Sequence, residues 1–197
     1  NGAIYAVRSE LFWKDIPDNT IVDDFVIGMK VREQGFRMIY EPAAVAEEEF
    51  PEVEHEWKRR VRIGAGDYQA LVLCRRCLLP RYGEFAVMFW SHKVLRWFTP
   101  HMGLFLVAGS LFLVMKEGSP AEKYLPFAVT ICAAGFLACS IAGRLLRNSK
   151  SEIFSLFKAC DYFVTMQEAL LVGFLLFCKG GLKGHWERTP RYPVSHG

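Results

Sequence analysis

The sequence predicts an α/β part followed by membrane helices, on three observations. Residues 1–62 hold the acidic runs and most of the strand-like patterning, whereas residues 85–178 are mostly apolar and carry few charges. A strand, a helix and a second strand are expected in that order before residue 43, and this order is typical of an α/β sheet. Long uncharged apolar stretches come after Pro80, as membrane-crossing helices require.

The average composition hides these two unlike parts. The 197 residues are 52% hydrophobic and carry a net charge of +3, and they suffice for one domain, or for half a domain with a membrane region. No nucleic-acid-binding module is visible. The opening "NGAIYAVRSELF" has neither an initiator Met nor a charged segment leading into an apolar one. We therefore expect no secretory signal here, and we expect the chain to be the C-terminal piece of a larger protein.

Two strands are predicted around the first helix. "AIYAV", residues 3–7, alternates and is rich in β-forming residues, and "FRMIYEP", residues 36–42, reads as a strand ended by Pro42. Between them lies "DDFVIGMKVREQG", with Asp23 and Asp24 at its start and Gly35 as its stop. Its apolar residues form two i,i+4 pairs, which favours a largely buried helix. The pairs are Phe25 with Met29 and Ile27 with Val31.

The stretch "EWKRRVRIGAG", residues 56–66, begins a second helix with two distinct faces. Arg59, Arg62 and Gly66 recur at helical spacing on one face. The apolar face consists of Trp57, Val61, Ala65, Tyr68 and Val72. The simplest interpretation of the arginine face is a solvated basic surface that balances the preceding acidic run. Further along, "CRRC" at 74–77 is a single CxxC pair and therefore weak evidence for zinc. The nearby positive charges of Arg75, Arg76, Arg81 and Lys93 favour a membrane-surface anchor.

The membrane region divides into four segments. Residues 81–98 mix Phe and Trp with His92, Lys93 and Arg96, which favours a helix lying in the headgroup plane. Residues 99–116 and 124–143 are long, almost free of charge and predicted to span the bilayer. Residues 161–178 form a third, uncertain segment. Residues 179–197 form a polar tail.

The third segment admits two interpretations. Glu168 at mid-bilayer would cost about 2.5–3.5 kcal/mol, so a true span must bury it against protein or water. The alternative is an interfacial or re-entrant segment. Lys and Arg favour the cytoplasmic side, and a basic tail on that side favours this alternative. The basic groups are Arg75, Arg76 and Arg81; Arg144, Arg147, Lys150 and Lys158; and Lys179, Lys183, Arg188 and Arg191.

Four motifs in order resemble family 2 glycosyltransferases. "IVDDFVIGMKVREQGFRMIYEPAAVAEEE" resembles the region that opens on the acidic "TED"-type motif, and "RRVRIGAG" resembles the "QxxRW" motif. "SHKVLRW" and "HWERTPR" resemble membrane-region features of the membrane-integrated members, such as cellulose, hyaluronan and poly-N-acetylglucosamine synthases. The resemblance implies that residues 1–80 are the acceptor half of a GT-A-like catalytic domain.

The resemblance also implies roles for individual residues. Asp24 matches the catalytic base, and Asp23 matches the acid before it, although capping of the helix is the more ordinary role for Asp23. Asp23, Arg59, Arg62 and Ile63 are expected to bind the acceptor or the diphosphate. Arg59 takes the place of the motif's Gln, Arg62 matches its Arg, and Ile63 stands where the family usually has Trp. An Ile cannot stack on a sugar as an aromatic ring does. This departure favours a single addition over polymer extension.

Further expectations follow from the same family. Trp186, Arg188 and Thr189 resemble a loop that covers the nucleotide. Mg²⁺ or Mn²⁺ would bind a DxD motif, which this chain lacks, so the resemblance places the donor half upstream and implies that this piece alone is inactive. The expected partners are a nucleotide-sugar donor, a glycan or lipid acceptor and the membrane, with no nucleic acid.

The predicted function is therefore inverting sugar transfer at a bacterial inner membrane, with the catalytic part in the cytoplasm. A carboxylate takes the proton of the acceptor hydroxyl, and arginines stabilise the leaving diphosphate. The product is either a growing polysaccharide or a single glycosylated lipid or short glycan. A non-enzymatic scaffold whose basic helix binds anionic lipid is the alternative.

Overall fold

The structure, a computed structural model, describes residues 4–45, 53–116, 118–149 and 151–180. In these ranges the chain is mainly helical, with short 3-10 turns between helices and a π-helical turn at Trp90–Val94. The α-helices are α1 Asp23–Glu33, α2 Val53–Leu73, α3 Glu84–Phe89, α4 Leu95–Met115, α5 Pro120–Leu145 and α6 Ser155–Cys178.

The predicted α/β fold is wrong, because the described residues contain no strand and no sheet. Neither the described part of "AIYAV" nor "FRMIYEP" forms one. A strand satisfies its backbone N–H and C=O groups only by pairing with a neighbouring strand, and the described chain brings none alongside. Residues 36–45 are instead exposed, with Ile39 at 89% of its full accessibility. Alternation of residue types predicted a local preference, but it could not supply the partner.

Helix α1 follows its sequence signals closely. Gly35 has a φ of +89° just beyond the last turn, the Gly35 N–H donates to the Arg32 carbonyl, and the Phe36 N–H donates to the Val31 carbonyl. These two bonds close the helix in a Schellman motif, as the predicted stop at Gly35 requires. The prediction of a largely buried helix is confirmed by Val26, Ile27, Met29 and Val31, which are all buried.

Helix α2 is buried at its centre. Val61, Ala65 and Tyr68 of the predicted apolar face are buried, whereas Trp57 and Val72, towards its two ends, are partly open. The centre of α2 therefore forms part of the core of its unit, and the ends do not. The arginine-bearing turns lie just before this buried centre.

The chain divides into two compact units. The first contains the described residues up to Trp97 together with those from Val172 onward. In it, the last turns of α6 pack on α2: a Cβ on Gly173 would come within 2.7–2.8 Å of backbone atoms of Val61, Gly64 and Ala65. The Tyr68 ring lies 5.1 Å from that of Phe174, measured between centroids. Small residues on both helices therefore permit this close approach.

The second unit, Phe98–Leu171, holds most of α4, α5 and α6. The Ser110 and Thr130 hydroxyls are 3.2 Å apart and join α4 to α5. The Phe136 and Phe163 rings meet edge to face, with 5.8 Å between centroids, and join α5 to α6. A side chain at Gly143 would overlap the Phe157 carbonyl, so these two helices also pack backbone to backbone.

Three helical stretches of the described chain are long and apolar enough to cross a membrane. They are Glu84–Met115, Pro120–Leu145 and Glu152–Cys178. By length and composition, they support the prediction of a membrane protein with transmembrane helices. The uncertain third segment thus meets the same two criteria as the first two.

Candidate active site

The candidate site lies in the first unit, and Gly66 of α2 helps to position it. A Cβ on this residue would lie 3.0 Å from Ile21 Cβ and 3.1 Å from Val22 Cγ1. Such contacts are tighter than an ordinary carbon–carbon approach of about 3.5–4.0 Å. Glycine at this position therefore lets the segment that leads into α1 lie directly against α2.

Gln69, almost one turn further along α2, holds the same segment by two hydrogen bonds. The Ile21 N–H donates to Gln69 Oε1, and Gln69 Nε2 donates to the Asn19 carbonyl, both over 3.1 Å. Gln69 is buried, so water cannot readily take its place as the hydrogen-bond partner of these two backbone groups. The start of α1, which carries the predicted catalytic carboxylate, is consequently fixed beside α2.

The two aspartates at the start of α1 differ in their surroundings. Asp24 is half-buried, whereas Asp23 is exposed. The N-cap residue is Val22, which makes no side-chain capping bond, so the more ordinary role given to Asp23, capping of the helix, is wrong. Both carboxylates lie in the first turn, where the helix dipole favours negative charge. Of the two, Asp24 is the one enclosed by protein.

Lys93 of the π-helical turn connects Asp24 with a second carboxylate, Asp67 of α2. The Lys93 ammonium interacts electrostatically with both carboxylates, and its Nζ lies 5.1 Å from the centroid of the Phe25 ring. π-Helical turns occur mostly as single turns and frequently at functional sites. Lys93 therefore interacts electrostatically with charged groups from both α1 and α2.

Asp67 is the most perturbed acid of this site. Burial raises its pKa to about 7, against the opposing effect of the positive charges of Lys93 and Arg96. Removing water from a carboxylate disfavours its charged form, and the two cations only partly restore it. A carboxyl group with a pKa near neutrality, inside a charged cluster, is typical of functional sites.

Aromatic rings pack around Phe25, the ring that Lys93 contacts. The Phe25 ring meets those of Phe89 and Trp97 with centroid distances of 6.1 and 6.0 Å. The Tyr68 hydroxyl donates to the Trp97 carbonyl over 2.6 Å. Trp97 is almost fully buried. The first turn of α4 is thereby tied to α1 and α2, which fixes Lys93, one turn earlier.

The predicted arginines occupy the neighbouring turns of α2. Arg59 Nη1 lies 3.7 Å from Glu56 Oε2, and Arg60 Nε lies 2.5 Å from Glu56 Oε1. Arg62 precedes Gly66 by one turn on the same face, and its pKa is lowered, chiefly by burial and also by the charge of Arg59. Ile63 is half-buried. Arg59 is thus engaged within its own helix, while Arg62 is closer along α2 to the contact with α1.

Two further expectations concern the loop that covers the nucleotide and the metal ion. Trp186, Arg188 and Thr189 lie outside the described residues. Within the described ranges, no group of three or more His, Cys, Asp or Glu side chains is placed to hold a metal ion. The resemblance assigns Mg²⁺ or Mn²⁺ to a DxD motif that this chain lacks, so this finding does not bear on that expectation.

The cysteines of "CRRC" are buried and structural. Burial raises the pKa of Cys74 to about 12 and also raises that of Cys77. The Cys77 thiol donates to the Met29 carbonyl over 3.6 Å. Both thiols are therefore protonated at neutral pH, and neither is a ready metal ligand or nucleophile.

Sequence reasoning missed Asp67 and assigned Lys93 to the membrane surface. Asp67 directly follows "RIGAG", so its position next to Gly66 was the available signal. The signal was weak, because a single acid beside an apolar helix face is usually solvated. The position of Lys93 depends on the π-helical turn, which no pattern in "WSHKV" predicts.

Comparison of the chain with protein-family models, curated proteins and solved structures found no match. The glycosyltransferase resemblance is therefore still a prediction from sequence motifs.

Proposed function

We propose that the intact protein is a membrane-bound inverting glycosyltransferase that moves a sugar from a nucleotide sugar to a glycan or lipid acceptor. One observation supports this most. The packing of residues 19–22 on Gly66 and Gln69 sets Asp24 beside α2, where Asp67 and Lys93 join it. A protein that served only as a membrane anchor would have no need of a carboxylate held in this way.

Asp24 is the base of the proposed reaction. Its carboxylate accepts the proton of the acceptor hydroxyl as that oxygen bonds to the anomeric carbon of the donor. The bond from the anomeric carbon to the nucleoside diphosphate breaks, and its electron pair leaves on the phosphate oxygen. A carboxylate is a weak base for a sugar hydroxyl. Positioning of the two reactants must then supply much of the rate.

Positive groups on α2 and near the start of α4 stabilise the charge of the leaving diphosphate in this proposal. Arg62 carries a planar guanidinium that suits two phosphate oxygens at once. Lys93 and Arg96 add two further positive charges at the start of α4. Their electrostatic effect is strongest where water is excluded, and the raised pKa of Asp67 reports such a partly dry environment.

Two features bear on the acceptor and the location. Lys93 belongs to Glu84–Met115, the first stretch long and apolar enough to cross a membrane, so the proposed site lies at a membrane surface. Ile63 takes the place of an aromatic sugar platform and favours a single addition to a lipid or short glycan over polymer extension. We assign the site to the cytoplasmic face of a bacterial inner membrane, because the flanking basic residues favour that side.

The test is nucleotide release by the full-length protein in detergent. We would incubate it with a panel of nucleotide sugars and a membrane-lipid extract, and measure free nucleoside diphosphate. Asp24→Asn should abolish release while leaving binding of the donor unchanged, because the amide cannot accept the proton. Asp23→Asn is the matched control, since this neighbour is exposed, and it should keep most of the activity.

The competing function is a scaffold that binds anionic lipid through its basic helix. Its arginine-rich turns are compatible with such binding. It predicts that no donor in the panel releases nucleotide and that Asp24→Asn leaves membrane binding intact. Release that survives Asp24→Asn would refute the base assignment, and absence of release with every donor would refute the enzyme.

A further inference from the structure

A second charged cluster lies in the other unit, where α5 ends and α6 begins. Arg144 Nε donates to Asp161 Oδ1 over 3.0 Å, and Arg147 Nη2 donates to Asp161 Oδ2 over 2.8 Å. Arg144 Nη2 also reaches Glu168 Oε2 at 3.3 Å. Asp161 is only 4% exposed. Nothing in the proposed sugar transfer uses these residues.

The two arginines are ordered by the cluster but not enclosed by it. Their side chains are 50% and 53% exposed, although both bind a buried carboxylate. A guanidinium carries five N–H donors, and the contacts to Asp161 and Glu168 use at most two of them on each arginine. Asp161 therefore fixes two guanidinium groups that still present hydrogen-bond donors outward.

The surroundings of these guanidinium groups are apolar and exposed. Ile141 and Leu145 of α5 are exposed, and so are Ile153 and Leu156 at the beginning of the next helical stretch. Large exposed apolar patches, especially those rimmed by polar residues, often mark interaction sites with proteins or membranes. Both helices also belong to stretches that could cross a membrane. The cluster lies at the joined ends of two such stretches.

The helix pair holds this arrangement rigidly. Gly143 lies directly before Arg144 and packs against the Phe157 carbonyl, where any side chain would overlap it. Lys158 donates from its ammonium to the Ser149 carbonyl, which ties the connecting turn to α6 and adds a third positive charge. Backbone contact and turn together set the spacing of the two arginines.

We propose that this end of the α5–α6 pair binds the phosphate of an anionic phospholipid in the adjacent leaflet. Planar guanidinium groups suit phosphate oxygens, and the exposed aliphatic residues suit acyl chains. Basic sites between membrane helices bind anionic headgroups in this manner. Asp161 keeps the arginines in place while the lipid is absent. A soluble phosphate offers the same oxygens but lacks the acyl chains that the apolar rim would contact.

The test is the thermal stability of the full chain in detergent with added lipid. Phosphatidylglycerol should raise the apparent Tm in a saturable way, whereas phosphatidylcholine and inorganic phosphate should not. Arg147→Gln should weaken the apparent affinity for phosphatidylglycerol about fivefold. Arg37→Gln, at an exposed arginine in the other unit and outside the stretches that could cross a membrane, is the control and should leave that affinity unchanged.

Two further variants separate lipid binding from a purely structural ion pair. Arg147→Lys keeps the charge but loses the planar fork, so its affinity should lie between those of the unaltered chain and Arg147→Gln. It is the second variant if Arg147→Gln fails to fold. Asp161→Asn removes the carboxylate that orders both arginines, so it should lower the affinity for phosphatidylglycerol. An unchanged affinity would show that this ordering does not serve lipid binding. An unchanged response in Arg147→Gln would overturn the proposal. Inorganic phosphate that acts as well as phosphatidylglycerol would overturn its lipid part.

Discussion

Replacing Gly173 by Ala tests the packing of α6 on the helix that carries the candidate site. The new Cβ would lie 2.7 Å from Ala65 N and 2.8 Å from both Gly64 C and Val61 O. Optimal contacts between non-bonded heavy atoms are about 3.5–4.0 Å. All three atoms belong to the backbone of α2 and cannot rotate away. The two helices must therefore separate by about 0.7–1 Å.

Two opposing effects set the size of the change. Overpacking of this kind typically costs about 1–3 kcal/mol, whereas Ala in place of Gly inside a helix gains about 0.5–1 kcal/mol. Gly109→Ala isolates the second effect, because no described atom lies within 4 Å of the position its Cβ would take. The difference in unfolding free energy between the two variants should therefore be about 1–3 kcal/mol.

The assay is tryptophan fluorescence during heating of the purified full chain in detergent. For a protein of this size, 1 kcal/mol corresponds to about 2–4 °C in Tm, so Gly173→Ala should melt about 2–12 °C below Gly109→Ala. The reasoning is refuted if Gly173→Ala melts at the same temperature as Gly109→Ala or above it. Such a result would mean that α6 does not lie against α2.

Two other variants probe the candidate site. Gln69→Ala should lower the unfolding free energy measured in urea by about 1–3 kcal/mol, because it leaves buried backbone groups unpaired. The control Gln34→Ala removes exposed hydrogen bonds and should lower it by less than about 0.5 kcal/mol. Equal losses of unfolding free energy would contradict the buried contact of Gln69. Asp67 is harder to ionise in the folded chain, so its contribution to stability is greatest below its ordinary pKa of 3.8 and is lost as the pH rises towards about 7. Asp67→Asn should therefore flatten the decline in unfolding free energy across that interval, and an unaltered pH profile would show that its pKa is not raised.

Local signals predicted the helices well. The acidic start of α1, its two apolar i,i+4 pairs and the glycine after its last turn are all contained within thirteen residues, and the helix begins and ends where they indicate. The apolar face of α2 was also readable, because the 3.6-residue period places Val61, Ala65 and Tyr68 together. Such features depend on neighbours in the sequence, which is why the sequence alone predicts them.

The two strands failed for a different reason. "AIYAV" and "FRMIYEP" have the composition of strands, but a strand exists only with a neighbour to pair with. The described chain leaves Ile39 and Tyr40 in an open, extended segment. Pairing is a property of the tertiary structure, so no local pattern could establish it.

The candidate site was partly predictable. The small residues of "RIGAG" drew attention to Gly66. In the structure, Gly66 packs against the segment before α1, and the backbone of Gly64 and Ala65 packs against Gly173. The partners could not be read from the sequence, because Ile21 and Gly173 lie far away along the chain. The electrostatic interaction of Asp67 with Lys93 joins α2 to a π-helical turn that no sequence pattern indicated.

The most direct test of the central claim is a double-mutant cycle between Asp24 and Lys93. We would measure the unfolding free energy of the full chain for Asp24→Asn, Lys93→Gln and the double variant in low salt. If the two groups share one site beside α2, the double variant should lose less than the sum of the single losses, with a coupling of about 0.5 kcal/mol or more. Strict additivity, within about 0.3 kcal/mol, would mean that the carboxylate and the ammonium do not meet and would contradict the account.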